Sequence, residues 1–305
     1  MIQDYTIAGD RAPTAAPYIP KTLHPKTITV FLDAGVSGKN RAAHAVALAQ
    51  RWDAHLVGVH VVFTSKALHP SDCYAIGESA IRQVIEHEDK VHADDEAVAS
   101  QVEEQFGDLC SRSNVGCEFR RISWEQPAEE AILYALHSDL VIVGQPWPNG
   151  LPGDVALETI FLAGGAPLLV LPNAWQGKAV GDNVLIAWNA SREVRRTAFD
   201  AMTFLVAAQA VTVLLVDPGK RHRHGEEPGA EIALQLARHG AHVNVDRVTS
   251  NGSSIAQVIL HYAMQGGSDL LVFGAYSHAR LRERLLGGTT RTLLTQMPVP
   301  VLVSR

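Results

Sequence analysis

The sequence predicts an α/β protein built twice, with two five-stranded parallel sheets wrapped by helices in one chain of 305 residues. Three observations predict it. Ser138-Asp-Leu-Val-Ile-Val-Gly144 returns as Ser268-Asp-Leu-Leu-Val-Phe-Gly274, 130 residues later. Ile28-Thr-Val-Phe-Leu-Asp33 returns as Val184-Leu-Ile-Ala-Trp-Asn189, and Pro167-Leu-Leu-Val-Leu171 as Pro300-Val-Leu-Val303. The repeated runs are short, continuous and rich in Val, Ile and Leu, the pattern of strands buried on both faces of a parallel sheet. Matches that keep their order are more economically read as one duplicated unit than as chance.

Residues 1–26 hold Pro13, Pro17, Pro20 and Pro25 and no apolar stretch of the signal-peptide kind, so they read as an arm. The first unit spans 27–172, with strands at 27–33, 55–63, 116–123, 139–144 and 167–171. An Asn- and Gly-containing linker, entered just after Pro172, covers 173–182. The second unit spans 183–305, with strands at 183–189, 210–217, 242–249, 269–274 and 299–304. Ser191 to Ala207 reads as one helix with a stripe of Val194, Ala198, Met202 and Leu205, capped by Ser191 with Glu193 in its first turn. The spacing between repeats falls from 156 to 130, so the first unit carries about 26 extra residues around Glu86 to Gln105. There Ile81, Val84, Ile85, Val91, Val98, Val102, Phe106 and Leu109 keep a helical spacing that predicts packing against the unit's own sheet. Strands alternating with helices imply right-handed crossovers and helices on both faces.

Composition bounds the function. Hydrophobic residues are 47% and charged residues 19%, enough to bury a sizeable core. A net charge of -6 and a pI near 6.1 argue against nucleic acid as a partner. No apolar run reaches the roughly 18 residues of a membrane helix. Three cysteines without a secretory signal suggest a reducing cytoplasm and no disulfide framework.

In doubly wound sheets, ligands bind beyond the carboxyl ends of the strands. After the fourth strand of the second unit comes Gly274-Ala-Tyr-Ser277-His278, then Gly287-Gly288-Thr289-Thr290 opening a helix. Glycines let backbone amides approach a phosphate, and a helix N-terminus adds unpaired donors. A plain surface loop is the competing reading of the same residues. The segment resembles the phosphate loop of the universal stress protein family, Gly-x-x-Gly, nine residues, Gly-Ser/Thr, where nucleotide-binding members hold ATP. Gly274 matches the first glycine and Gly287 the third; Leu281-Arg-Glu-Arg-Leu-Leu286, Ile186 to Glu193 and Val299 to Val303 extend the likeness. It covers residues 27–305 as a tandem pair.

The resemblance implies two flavodoxin-like domains arranged as a pseudo-dimer whose last strands meet antiparallel. It implies ATP, with or without Mg2+, held by the second unit of a stress-response sensor or regulator. Gly274, Ser277, His278, Gly287, Gly288, Thr289 and Thr290 would face phosphate, while Ala187, Trp188, Asn189 and Val216 would face adenosine. Ser277 departs from the second family glycine, Gly288 from the Ser/Thr, and Asn189 from the first-strand acid; Thr290 offers a replacement hydroxyl. No general base is positioned, so no catalytic residue is assigned. Slow ATPase activity, a purely protein-binding role and further association into a homodimer stay open. The first unit keeps the acid as Asp33, but its loop from Gln145 to Asp154 holds Pro146, Pro148 and Pro152, which remove donors. That unit is expected to be nucleotide-free.

Other residues are set aside. His222 and His224 lack the ligand spacing of a metal site, so none is expected, and Lys220, Arg221 and Arg223 suit either a charged loop or contact with a nucleotide's phosphates. Arg280, Arg282 and Arg284 suit either an exposed loop or phosphate. Cys117 reads as a buried thiol, Cys110 ends a helical segment and Cys73 is the thiol to test for reactivity. No nucleophile elbow, Walker lysine or dinucleotide glycine motif occurs.

Overall fold

The computed structural model describes residues 24–62, 78–122, 127–146, 157–176, 179–220, 226–275 and 288–304. The first half runs β1 (Thr27–Leu32), α1 (Val36–Trp52), β2 (His55–Val61), α2 (Glu78–Arg112), β3 (Cys117–Ile122), α3 (Pro127–Leu136), β4 (Leu140–Gly144), α4 (Leu157–Gly164) and β5 (Leu168–Leu171). The second runs β6 (Asn183–Ala187), α5 (Arg192–Asp200), α6 (Met202–Ala207), β7 (Ala210–Val216), α7 (Ala230–Arg238), β8 (Val243–Val248), α8 (Ile255–Gln265), β9 (Leu270–Phe273), α9 (Gly288–Thr295) and β10 (Val301–Val303).

Among the described residues the strands form one sheet in the order β3-β2-β1-β4-β5-β10-β9-β6-β7-β8. Each half is parallel and wound alike, so its direction of winding reverses between β1 and β4, and again between β6 and β9. The halves join where β5 and β10 pair antiparallel, with Val170 opposite Val301 and Leu168 opposite Val303. This pairing turns two edges into a ladder and leaves β3 and β8 outside. Both outer strands carry charge, Glu118, Arg120 and Arg121 on one and Asp246 and Arg247 on the other.

Alternation along each strand feeds two apolar layers. Ile28, Val30 and Leu32 of β1 join α1, α2, α5, α6 and α7 on one face. Phe31 joins α3, α4, α8 and α9 on the other. The repeated Ser-Asp has a structural reason. Asp139 accepts from the amides of Lys26 (2.7 Å) and Thr27 (2.9 Å), where β1 starts. Asp269 accepts from Gly181 (3.0 Å), Asp182 (3.1 Å) and Asn183 (3.0 Å), where β6 starts. Each carboxylate thus ties the entry of the fourth strand to that of the first.

The extra residues of the first half form the 35-residue α2, where the second half has the nine-residue α7. Its buried stripe is Ala99, Val102, Phe106 and Cys110. The spacing expected for this helix is one residue out of phase at two positions. Val98 is 37% exposed, and Leu109 is only partly buried beside the core. Ile81, Val84, Ile85 and Val91 have side chains outside the described residues. Cys117 is half-buried rather than buried, and burial next to that thiol raises Cys110 well above the usual thiol range.

The single helix expected over Ser191 to Ala207 is broken at Ala201, whose φ of -80° and ψ of -3° reorient the chain. Burial on every side of the second piece is the physical reason. Met202 to Val206 are buried at each position, which an amphipathic continuation of α5 would not allow. Phe204 there packs edge-on against Trp52 of the first half, with ring centroids 4.8 Å apart. Arg51 also donates across to the Val180 carbonyl at 3.5 Å, and Gln145 to that of Thr295 at 2.7 Å.

Candidate functional site: two strand-end crevices

The two reversals of winding each leave a crevice at the carboxyl ends of the strands. In the second half, β6 ends on Ala187, opposite Leu214 of β7 and Phe273 of β9. Ala187 and Val216 are half-buried against the same apolar layer as α8 and α9. Trp188 packs against the opposite layer, because a strand turns successive side chains to opposite faces. Its amide donates to the Leu214 carbonyl at 2.9 Å, continuing the ladder past the strand. The structure therefore brings Ala187 and Val216 together on one face and sends Trp188 to the other. Just beyond Val216, Asp217 has a φ of 50° and its carboxylate accepts from the Ser250 amide (2.9 Å) and hydroxyl (2.6 Å), tying the end of β7 to that of β8.

Asn189 is half-buried, and its Oδ1 accepts from the Ser191 amide at 3.1 Å. Ser191 in turn caps α5, its hydroxyl accepting from Val194 at 3.3 Å, as the sequence leads one to expect. Glu193 lies in the first turn, its carboxyl held below the ordinary range: burial works upward but is outweighed by hydrogen bonds from Arg192, its own amide and Ser191. Gly274 sits directly under this turn. A Cβ there would overlap the backbone nitrogen of Val194, so only glycine lets β9 end against α5.

Helix α9 opens at Gly288, which is exposed along with Thr289, whereas Thr290 is buried. No acidic residue lies in its first turn. Since β9 and β10 are parallel, the crossover through α9 starts at the carboxyl edge of the sheet, at the same end as Ala187, Val216 and Gly274. Ser277, His278 and Gly287, with Arg280, Arg282 and Arg284, lie outside the described residues. So do Arg221, His222, Arg223 and His224, and Cys73.

The crevice of the first half is built differently. Asp33 keeps the same turn, its Oδ1 accepting from the Gly35 amide at 2.9 Å. Its Oδ2 is taken by a guanidinium NH2 of Arg41. That side chain is only 7% exposed, against 44% for Asp33. It also lies against Gly144, where a Cβ would overlap an Arg41 guanidinium nitrogen. An internal cation thus spans the ends of β1 and β4. Burial lowers the Arg41 pKa, and the Asp33 carboxylate works against that. The corresponding position in α5 is Thr197, whose hydroxyl donates to the Glu193 carbonyl at 3.0 Å and accepts from the Ser304 amide at 3.2 Å. Reading the sequence by motif overlooked Arg41. The available signal was a charge in register with Ala45, Leu48 and Trp52 on the buried stripe of α1. The segment from Trp147 to Asp154 lies outside the described residues.

Comparison with known proteins agrees with this architecture. Residues 190–305 match the universal stress protein family. Universal stress protein Slr1230 of Synechocystis sp. (strain ATCC 27184 / PCC 6803 / Kazusa) is 26% identical over 156 residues, which are 49% of this chain and 50% of that protein. The chain thus spans about half the length of that curated relative. The crystal structure of a universal stress protein from Archaeoglobus fulgidus DSM 4304 covers 92% of this chain and 96% of its own, at 15% identity and a TM-score of 0.65. A putative universal stress protein from Pseudomonas aeruginosa UCBPP-PA14 covers 92% of this chain and 94% of its own, at 14% identity and a TM-score of 0.54. Residues 190–305 are thus similar to the universal stress protein family, and the chain as a whole shares its tandem α/β fold with solved universal stress proteins.

Proposed function

We propose that the second half binds ATP, with or without Mg2+, as the ligand of a stress-response sensor or regulator. One observation carries this reading. Ala187 and Val216 on one face, Gly274 against the start of α5 on the other, and the acid-free start of α9 meet at one end of the sheet, where the winding reverses. Ala187 and Val216 would line adenine, and Asn189 would offer the ribose or purine edge hydrogen bonds beyond the one it already accepts. Phosphate would be met by main-chain amides around Gly274, Gly287 and Gly288, with the hydroxyls of Ser277, Thr289 and Thr290 and with His278. Trp188, packed on the far layer, would support the strand end without touching the base. The first half, with Arg41 across its crevice, would not bind nucleotide.

Calorimetric titration of the full chain with Mg-ATP tests this. The expected result is saturation at one nucleotide per chain, abolished in Gly287→Val with the circular dichroism spectrum unchanged. Absence of heat above dilution at millimolar nucleotide would reject the reading and leave surface-mediated protein binding as the function. Two nucleotides per chain would reject the asymmetry between the halves.

A further inference from the structure

We propose that Cys110 and Cys117 form a redox-convertible dithiol, oxidised to a disulfide by a low-molecular-weight disulfide and restored by thiols. Both are free cysteines, one in the last turn of α2 and the other at the head of β3. The turn between them is fixed by two backbone bonds, Val115 donating to the Cys110 carbonyl at 3.0 Å and Asn114 to that of Ser111 at 3.2 Å, with Asn114 at a φ of 52°. This Schellman arrangement folds the strand back along the helix. One helical turn back on α2 and two residues on along β3, Phe106 and Phe119 meet with ring centroids 6.0 Å apart. Cys110 and Cys117 form the next row of the same contact, and their thiols share a side-chain hydrogen bond.

The second half builds the same turn from other residues. Ala241 donates to the Leu236 carbonyl at 3.2 Å and Gly240 to that of Ala237 at 2.9 Å, and Val243 takes the strand position of Cys117. Leu236 and Val243 are apolar members of the same layer. The first half thus carries sulfur at both positions that packing alone fills with Leu and Val. Cys110 is buried and Cys117 half-buried, so a reagent reaches Cys117 first. The Cys117 sulfur, as thiolate, attacks one sulfur of the reagent; the reagent's S–S bond breaks, and its other half leaves and takes up the proton. Cys110 then loses its proton and attacks the Cys117 sulfur, expelling the second half of the reagent as a thiol. The two protein thiols give up two electrons, and one reagent disulfide is reduced to two thiols. Burial pushes the Cys110 thiol up, which slows the second step, but its sulfur already lies against its target. The pair shares no residue with the nucleotide reading and does not rest on it.

The test equilibrates the full native chain with graded ratios of reduced to oxidised glutathione. Samples are quenched with acid, the remaining thiols are blocked in urea, and peptides are mapped without reduction. The expected product is a fragment in which Cys110 and Cys117 are joined, lighter by two hydrogens, reversed by dithiothreitol and retained in Cys73→Ser. Cys117→Val, which installs the second half's residue, should abolish it and leave Cys110 without a glutathione adduct. Cys110→Ala should instead stop at the mixed disulfide, with one glutathione on Cys117. If Cys110→Ala does not fold, Cys117→Val still decides. Both thiols still open to blocking after fully oxidised glutathione would overturn the proposal, as would a bond from either to Cys73 or to another chain in place of this one. A glutathione adduct on Cys110 in Cys117→Val would overturn the order of attack.

Discussion

Asp33 and Asn189 close the first strand of each half with the same local turn, an oxygen accepting from the amide two residues on at 2.9 and 3.1 Å. They differ by one oxygen against one amide nitrogen, and that difference is matched eight residues later, where Arg41 stands opposite Thr197. In the first half the carboxylate recruits a guanidinium that spans the crevice up to Gly144. In the second, an uncharged residue leaves Gly274 against the backbone of α5, and Thr197 is spent on the end of β10. One duplicated unit has thus been given a side-chain cation in one copy and an acid-free, glycine-led helix start in the other.

The contrast can be broken most forcefully at Asp33. Asp33→Asn keeps the acceptor for Gly35 but leaves Arg41 buried without its counter-charge, and should cost about 3–5 kcal/mol, read as a fall in the urea midpoint. The mirror change, Asn189→Asp, meets no arginine and should stay within about 0.5 kcal/mol. Equal effects would mean that the two turns do the same work. Next in size, Gly274→Ala forces a methyl into the Val194 nitrogen and should cost about 1–3 kcal/mol by calorimetric melting. It should also weaken Mg-ATP; unaltered binding would separate the nucleotide site from this contact. Ser191→Ala removes the α5 cap and should cost about 1 kcal/mol in the same assay, whereas α1 has no side-chain cap to lose.

The smallest effect sharpens the comparison at the outer strands. Tyr262 donates to Asp246 on β8, whereas β3 in the first half is held by Arg121 reaching Glu96 (2.6 Å) and Glu103 (2.5 Å) of α2. Burial, with the Asp246 carboxylate beside it, pushes the Tyr262 phenol from 10.0 up to about 12. The folded state then binds the proton more tightly than the unfolded one. This contribution to stability is complete below pH 10 and is lost as pH rises toward 12. Absorbance of tyrosinate should show one late-titrating phenol that disappears in Tyr262→Phe.

Much of the fold is legible in the residues themselves. The strand runs observed lie within a few residues of those expected, because continuous Val, Ile and Leu can be buried only between two helical layers. The excess of about 26 residues implied by the repeat spacing is the difference between α2 and α7. The site is legible to the extent that it depends on strand ends: Ala187, Val216 and Gly274 are marked by position. The face taken by Trp188 comes from the period of two once the strand is known. The antiparallel meeting of β5 and β10 came from family likeness, since nothing in four apolar residues states which edge they will pair with.

The amino-acid order alone determined the duplication, the alternation of strands and helices, and the recurrence of Ser-Asp at the head of each fourth strand. These rest on local periodicity and on hydrogen-bonding groups repeated in register. Tertiary structure alone decided that α5 and α6 part at Ala201, that Phe204 meets Trp52 across the halves, and that Arg41 fills the first crevice beside Gly144. Those outcomes depend on contacts between residues far apart in the chain, whose energies arise only once both layers are packed and water has left the crevice.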